Sequence, residues 1–231
     1  MELVGVPGSG KTRLTRTLAT ELDRRDVTVT QPQRRLYTSV APGLRLSRKA
    51  VACLSVGAAA PRHTARLAAG LARSSQGGPA DVASRLVQLL VAEAVAREAA
   101  SHEGVSIVDE GVLQALWSVG LRGDVAPVLE LLDGVAPAPA ADLLVVLRVP
   151  ADLALARLSG RPSRHSRIQL IPEEARRAEM KRGMELLDDL VEWWSNGPAR
   201  SERVCVLNQS EEDSDERYRL VERICRAVGQ N

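Results

Sequence analysis

The chain has 231 residues, of which 45% are hydrophobic and 2% aromatic, and its formal net charge at pH 7 is +2. This length and apolar content suit one α/β domain with a single substantial core. The nearly balanced charge excludes a global attraction to nucleic acid or membrane, and the scarcity of aromatic side chains disfavours a stacking platform for single-stranded nucleic acid.

The sequence carries no signal for a membrane-bound or secreted protein. No apolar run reaches the roughly 18 residues that a membrane span needs, and the first motif begins with no room for a signal peptide before it. The 3 cysteines form no C-x-x-C pair, which indicates neither a disulfide framework nor a zinc site. We therefore expect a cytoplasmic protein.

The first motif extends from Gly5 to Thr12 and fits the phosphate-loop pattern G-x-x-x-x-G-K-[ST] at every fixed position. An apolar run precedes it and leucines follow it at helical spacing, so strand, loop and helix come in the required order. We expect backbone N–H groups to surround phosphate oxygens, Lys11 to reach the β- and γ-phosphates, and Thr12 to bind Mg²⁺. The nucleotide-binding residues predicted from this motif are Pro7, Gly8, Ser9, Gly10, Lys11, Thr12 and Arg13.

The next segments predict a short strand and then a helical region. Residues 27–30 are β-branched and indicate a second strand, which leads into Arg34 and Arg35. Ligands bind beyond the carboxyl ends of strands in open parallel sheets, so these arginines are candidate substrate-binding residues; a solvated turn is the alternative. Residues from about 44 to 102 lack strand signals and predict two or three helices, an insertion that could cover a substrate or serve as scaffold.

A third apolar stretch, residues 105–108, ends in Asp109, Glu110 and Gly111, like a Walker B strand. Asp109 is expected to hold Mg²⁺ directly or through water, since this cation prefers oxygen ligands. Glu110 is predicted to be a second carboxylate near the metal or a catalytic base. A strand-terminal aspartate that only caps a turn is the alternative.

Two more strands are predicted at residues 142–147 and 203–207, and five strands that alternate with helices predict a parallel sheet with right-handed crossovers. After the fourth strand, a helix leads into a segment that carries four arginines and no acid. Its composition indicates an anion-binding excursion at about residues 157–170, although a solvated basic loop would show the same composition. The four arginines are Arg157, Arg161, Arg164 and Arg167.

With these motifs, the sequence resembles the phosphate-loop kinases of small metabolites, the group of adenylate kinase-like and thymidylate kinase-like enzymes, over nearly the whole chain. The resemblance implies a phosphate-loop NTPase fold of three α/β/α layers, whose five-stranded parallel sheet has the order 2-3-1-4-5. It also implies a lid after the fourth strand, in which Arg157 packs on adenine, Arg161 contacts phosphate and Arg164 contributes to catalysis. The residues 109–111 depart from the Asp-Arg of thymidylate kinases and from the Asp-Gly of adenylate kinases, which leaves the acceptor unassigned.

The function implied by this resemblance is transfer of the γ-phosphoryl group of ATP, with Mg²⁺, to a small-molecule acceptor such as a nucleotide, a nucleoside or another metabolite. The implied catalytic residues are Lys11, Asp109, Glu110, Arg161 and Arg164, with Thr12 and Asp109 as metal ligands. The alternative is an ATPase that hydrolyses ATP for regulation or assembly, in which Glu110 activates water. The oligomeric state stays open, and a homodimer is among the options.

Overall fold

The computed structural model describes residues 1–33, 42–132, 141–160, 167–196, 201–208 and 214–229. The strands in these ranges are β1 (Glu2–Gly5), β2 (Val29–Thr30), β3 (Val105–Ser106), β4 (Leu144–Arg148) and β5 (Val204–Asn208). The helices are α1 (Lys11–Asp23), α2 (Pro42–Ala59), α3 (Pro61–Arg73), α4 (Pro79–Ala100), α5 (Val112–Gly120), α6 (Ala126–Leu132), α7 (Ala151–Ser159), α8 (Arg167–Leu170), α9 (Glu173–Ser195) and α10 (Ser214–Gly229).

Backbone contacts divide the chain into two compact units, one of residues 1–29 and 142–231 and the other of residues 30–141. The core of the first unit is a parallel sheet in the order β1-β4-β5. Glu2 pairs with Leu144 and Gly5 with Leu147, and β5 pairs along the whole of β4. The side chains from Leu144 to Leu147 are 0–1% exposed, as expected for a central strand that is covered on both faces.

Helices cover this sheet through their apolar faces. α1 packs against β1 and α10, and α7 packs against α9. The buried leucines of α1 recur at helical spacing, which is the pattern that predicted this helix. At the end of α1, Arg25 donates to the Glu222 carboxylate of α10, and this hydrogen bond holds the pKa of Glu222 below its ordinary value.

The second unit is mostly helical, and α4 lies at its centre. α4 packs against α2, α3 and α5, while α3 also packs against α6. Three helices, α2 to α4, therefore occupy the stretch for which the sequence predicted two or three. His63 of α3 contacts Glu93 of α4, with 2.6 Å between Nε2 and Oε1, and these side chains are only 11% and 3% exposed.

The continuous five-stranded sheet that was predicted is not confirmed. β2 and β3 form a separate two-stranded sheet among the described residues, so hydrogen bonds establish the orders 2-3 and 1-4-5 but do not join them. Each of these two strands has only two residues, which leaves few backbone groups for a longer ladder. The three-layer arrangement stays a prediction.

The second strand also begins later than predicted, at Val29 instead of residue 27. The reason lies in the end of α1, where the Val27 amide donates to the Leu22 carbonyl oxygen at 3.1 Å. Asp26 takes a positive φ of 57° in the same turn. This left-handed helix ending uses the amide that a strand would have needed.

No helix among the described residues is both long enough and apolar enough to cross a membrane.

Candidate functional site

The loop between β1 and α1 has the backbone conformation that its glycines predict. Gly8 and Gly10 have φ values of 89° and 93°, in the left-handed region that a side chain disfavours. The Ser9 amide donates to the Val6 carbonyl oxygen at 3.1 Å, and the Leu14 amide donates to the Gly10 carbonyl oxygen at 2.9 Å, which starts the ladder of α1. The loop therefore delivers the chain directly into the first turn of a helix.

The N-terminus of α1 has the properties of an anion-binding site. Gly10 occupies the cap position and, as a glycine, supplies no side-chain hydrogen bond to the first-turn amides. Backbone N–H groups at such a helix start point outward and carry the positive end of the helix dipole. Lys11 is half-buried at the same turn, and its Nζ donates to the Gly5 carbonyl oxygen. The Lys11 ammonium group thus lies across the loop, near the first-turn amides of α1. An ammonium group and helix-start amides are groups that bind phosphate, so these residues fit a phosphate group.

The loop is also packed tightly against its neighbours. A Cβ atom on Gly8 would lie 2.3 Å from the Ala154 carbonyl oxygen of α7, and one on Gly5 would lie 2.6 Å from Ser9 Oγ. Both distances are too short for real side chains, so both positions require glycine. The phosphate-loop motif gave no sign of the contact with α7, which is more than a hundred residues further along the chain.

The remaining residues predicted around the phosphates lie in the first unit or outside the described residues. Pro7 is half-buried in the loop, whereas Thr12 and Arg13 are exposed in the first turn of α1. Arg157 is half-buried near the end of α7. The residues that lie outside the described part of the chain are Arg34, Arg35, Arg161 and Arg164.

Asp109 and Glu110 follow β3 in the second unit, where Asp109 is half-buried and Glu110 is exposed. Their turn is held by Gln33, a residue that the sequence analysis did not single out. Gln33 Oε1 accepts hydrogen bonds from the amides of both residues at 2.9 Å, and its Nε2 donates to the Glu110 carbonyl oxygen. In the sequence, a glutamine after a short strand could not be distinguished from an ordinary turn residue.

Strand β3 is fixed to β2 by contacts of Thr30. The Ile107 amide donates to the Thr30 carbonyl oxygen at 2.9 Å, and the hydroxyl groups of Thr30 and Ser106 are 2.8 Å apart. The Ser106 hydroxyl also donates to the Ala99 carbonyl oxygen of α4 at 3.1 Å. These bonds set the position at which β3 ends, and hence the position at which Asp109 leaves the strand.

A protein could hold Mg²⁺ here with few ligands of its own, because this cation keeps several waters and binds phosphate oxygens. Among the described residues, no group of three or more His, Cys, Asp or Glu side chains could hold a metal ion. The candidate ligands lie in different units, the Thr12 hydroxyl in the first and the carboxylates of Asp109 and Glu110 in the second. Such hard oxygen donors match the chemistry of Mg²⁺.

Comparisons with known proteins place the chain by its fold. No protein-family model matches it, and no curated protein matches it in sequence. Among solved structures, it is similar to deoxyadenosine kinase from M. mycoides with bound dATP, with a TM-score of 0.52 and 12% identity over 97% of this chain and 98% of that one. It also matches shikimate kinase from Bacteroides thetaiotaomicron, with a TM-score of 0.39 and 16% identity over 99% of this chain and 97% of that one. The chain therefore shares its fold with the deoxyadenosine kinase, over nearly the whole of both chains.

Proposed function

We propose that the protein is a phosphotransferase that moves the γ-phosphoryl group of ATP to a small-molecule acceptor with the help of Mg²⁺. The observation that supports this proposal is the loop at the start of α1, where Gly8 and Gly10 have left-handed torsions and the Lys11 ammonium donates to the Gly5 carbonyl oxygen, an arrangement that fits an anion. The likeness to a kinase fold supports this assignment, because a strand, a phosphate loop and a helix occur in this order in such enzymes.

In this proposal, the reaction forms a bond between an acceptor oxygen and the γ-phosphorus, and it breaks the bond from that phosphorus to the oxygen of ADP. Lys11, Arg161 and Arg164 stabilise the charge on the transferring group, while Arg157 packs on the adenine. Thr12 and Asp109 hold Mg²⁺, which neutralises phosphate charge when it is bound.

The acceptor determines whether a base is needed. If the acceptor is a hydroxyl group, its proton passes to Glu110 or Asp109 as the new bond forms. If the acceptor is itself a phosphate, it is already deprotonated and the carboxylates serve the metal alone. Arg34 and Arg35 are proposed to bind the acceptor, because they follow the second strand at the edge of the sheet where ligands bind.

The test measures ADP release from Mg·ATP in the presence of different acceptors. The panel begins with deoxyadenosine and other nucleosides, because the similar solved structure is a deoxyadenosine kinase. It continues with nucleoside monophosphates, sugars and aminoglycoside-like compounds. We expect one class to stimulate ADP release, with one phosphorylated acceptor formed for each ADP.

The control is Lys11→Ala, which removes the ammonium from a half-buried position at the loop. We expect this variant to fold, as judged by circular dichroism and thermal melting, and to lose transfer. A folded Lys11→Ala protein with full activity would refute the nucleotide site.

A further inference from the structure

The turn that carries Asp109 and Glu110 has an unusual support in Gln33. One oxygen, Gln33 Oε1, receives the two consecutive amides of Asp109 and Glu110, each at 2.9 Å. The nitrogen of the same side chain donates to the Glu110 carbonyl oxygen. A single side chain therefore fixes three backbone polar groups of the two predicted carboxylate residues.

These bonds are partly buried, since Gln33 is only 5% exposed, whereas Asp109 is half-buried and Glu110 is exposed. Hydrogen bonds in such surroundings are not readily exchanged for bonds to solvent, and an unsatisfied buried amide is costly. Two consecutive N–H groups that point at one acceptor form a concave nest, and this nest fixes the torsions of the residues that contribute to it. The direction in which each carboxylate leaves the backbone follows from those torsions.

We propose that Gln33 is a positioning residue for the carboxylates of Asp109 and Glu110. This inference rests on the proposed function, in which those carboxylates serve Mg²⁺ and the acceptor. Gln33 acts through the backbone of the turn and contacts neither metal nor substrate. Groups behind a metal ligand typically change metal affinity or activity by about 10- to 100-fold when they are removed.

An amide suits this position better than a carboxylate or an apolar side chain. The nest needs an acceptor, while the Glu110 carbonyl oxygen needs a donor, and a side-chain amide carries both. Gln33→Glu keeps the acceptor and loses the donor. Gln33→Leu has a similar size and loses both. Comparison of the two variants therefore separates the effect of the hydrogen bonds to the two amides from the effect of the hydrogen bond to the Glu110 carbonyl oxygen.

The first experiment measures hydrogen exchange of the Asp109 and Glu110 amides in the protein without nucleotide. In wild type we expect both amides to be protected. In Gln33→Leu we expect their exchange to accelerate by about tenfold or more, whereas Gln33→Glu should keep most of the protection. Equal exchange in wild type and Gln33→Leu would overturn the inference.

The matched control is Gln76, whose side-chain amide also joins two segments of the second unit. Gln76 Nε2 donates to Ser74 Oγ at 2.9 Å and to the Val119 carbonyl oxygen at 3.2 Å. Gln76→Leu should lower thermal stability without changing exchange at Asp109 and Glu110. Accelerated exchange at those amides in Gln76→Leu, as large as that in Gln33→Leu, would show general loosening and would overturn a specific role for Gln33.

The second experiment measures the binding of Mn²⁺ to the protein with ATP, followed by electron paramagnetic resonance, and the Mg²⁺ concentration that gives half-maximal transfer. Gln33→Leu should raise the dissociation constant for Mn²⁺ and the Mg²⁺ concentration for half-maximal transfer by about 10- to 100-fold each. ATP affinity without metal should be unchanged, because the Gln33 side chain bonds the turn of Asp109 and Glu110 and not the phosphate loop. Unchanged Mn²⁺ binding in a folded Gln33→Leu protein would contradict the inference.

The two proposals fail in different ways. If wild type shows no acceptor-dependent transfer, the proposed function fails, while hydrogen exchange still decides whether Gln33 fixes the turn. If wild type transfers phosphate and Gln33→Leu matches it in metal dependence and amide exchange, the proposed function stands and the role of Gln33 is refuted.

Discussion

Gly8 has two constraints at one residue, its left-handed torsion and its contact with α7. Its φ of 89° disfavours any side chain, and the Ala154 carbonyl oxygen occupies the position that a Cβ atom would need. That oxygen belongs to the backbone, so no rotation of a side chain can relieve the overlap. A larger residue must therefore displace the loop or the helix.

Gly8→Ala should lower the free energy of unfolding by at least about 1–2 kcal/mol, the cost of the left-handed conformation alone. It should also weaken ATP binding by about tenfold or more, because the displaced loop no longer aligns its amides with phosphate. Chemical denaturation and ATP titration measure the two effects.

Ser9→Ala is the control in the same loop. Ser9 is 1% exposed and its buried hydroxyl oxygen has no hydrogen-bond partner, so its removal should leave stability equal or slightly higher. The Ser9 amide, which the loop uses, is retained. If Ser9→Ala were as damaging as Gly8→Ala, the explanation from torsion and overlap would be wrong.

Asp109→Asn should raise the Mg²⁺ concentration for half-maximal activity by about tenfold or more, because an amide cannot neutralise the cation. A titration of activity with Mg²⁺ at saturating ATP measures this change. Asp188→Asn is a suitable control, since Asp188 of α9 forms an exposed ion pair with Arg148 of β4. An unchanged Mg²⁺ titration in Asp109→Asn would leave Asp109 as a residue of the turn only.

The site shows which single residues a sequence can reveal. Gly8, Gly10 and Lys11 were predictable because their chemistry is local: the motif occupies one stretch of chain and its torsions depend on that stretch alone. Gln33 was not predictable, because its partners are 76 and 77 residues away and a single glutamine has no pattern.

At the scale of elements, the contact between α3 and α4 contains a buried polar pair. The Glu93 carboxylate is 3% exposed, one of its oxygens meets His63, and the other has no hydrogen-bond partner. The Arg97 guanidinium lies 3.9 Å from that second oxygen. Removal of His63 would leave a buried carboxylate poorly compensated.

His63→Ala should therefore lower the free energy of unfolding by about 3 kcal/mol. Glu93→Gln should cost less, because it removes the buried charge and keeps a group that can hydrogen-bond to the imidazole. The reference is Asp152→Ala, which breaks the exposed Asp152–Arg177 pair and should cost no more than about 1 kcal/mol. Urea denaturation measures the free energy of unfolding. Equal losses of this free energy in His63→Ala and Asp152→Ala would contradict the claim that burial makes the His63–Glu93 contact more stabilising.

Elements with strong local patterns were predicted well, and their connections were not. Helix α1 and strand β4 were found where a 3.6-residue repeat and a continuous apolar run predict them, although β4 begins at Leu144 instead of residue 142. β2 was predicted two residues too early, since the end of α1 takes the Val27 amide. Whether β2 and β3 join the other strands depends on backbone hydrogen bonds between residues far apart in the sequence. A local sequence pattern does not predict such bonds.

At the scale of the whole molecule, an ATPase is the alternative to the proposed phosphotransferase. A kinase and an ATPase with this sequence would differ in the source of the arginine that acts on the transferring group. In a kinase, the arginine belongs to the same chain as the phosphate loop. In an ATPase assembly, it comes from a neighbouring chain.

Arg161→Ala should reduce transfer by about 10³-fold or more and weaken ATP binding only modestly, because its charge acts mainly on the transition state. The measurement compares acceptor-dependent ADP release with ATP binding. Lys11→Ala serves as the partner variant in a mixing experiment. For a kinase, a mixture of Arg161→Ala and Lys11→Ala chains should stay inactive.

Recovery of activity in the mixture, or rapid ATP hydrolysis without any acceptor, would favour the ATPase. Separate runs of each variant alone exclude residual wild-type protein as the source of recovered activity.

The close contact between Gly8 and Ala154 also has a mechanical consequence within the first unit. Ala154 and Arg157 are three residues apart on α7, so they lie on the same side of the helix, about one turn or 5 Å apart along its axis. A short helix is stiff over one turn and behaves as a rod. Because the Ala154 carbonyl oxygen borders the loop at Gly8, we expect a shift of the loop on ATP binding to move α7 as well, and a fluorescent label attached at Ser159 measures that movement.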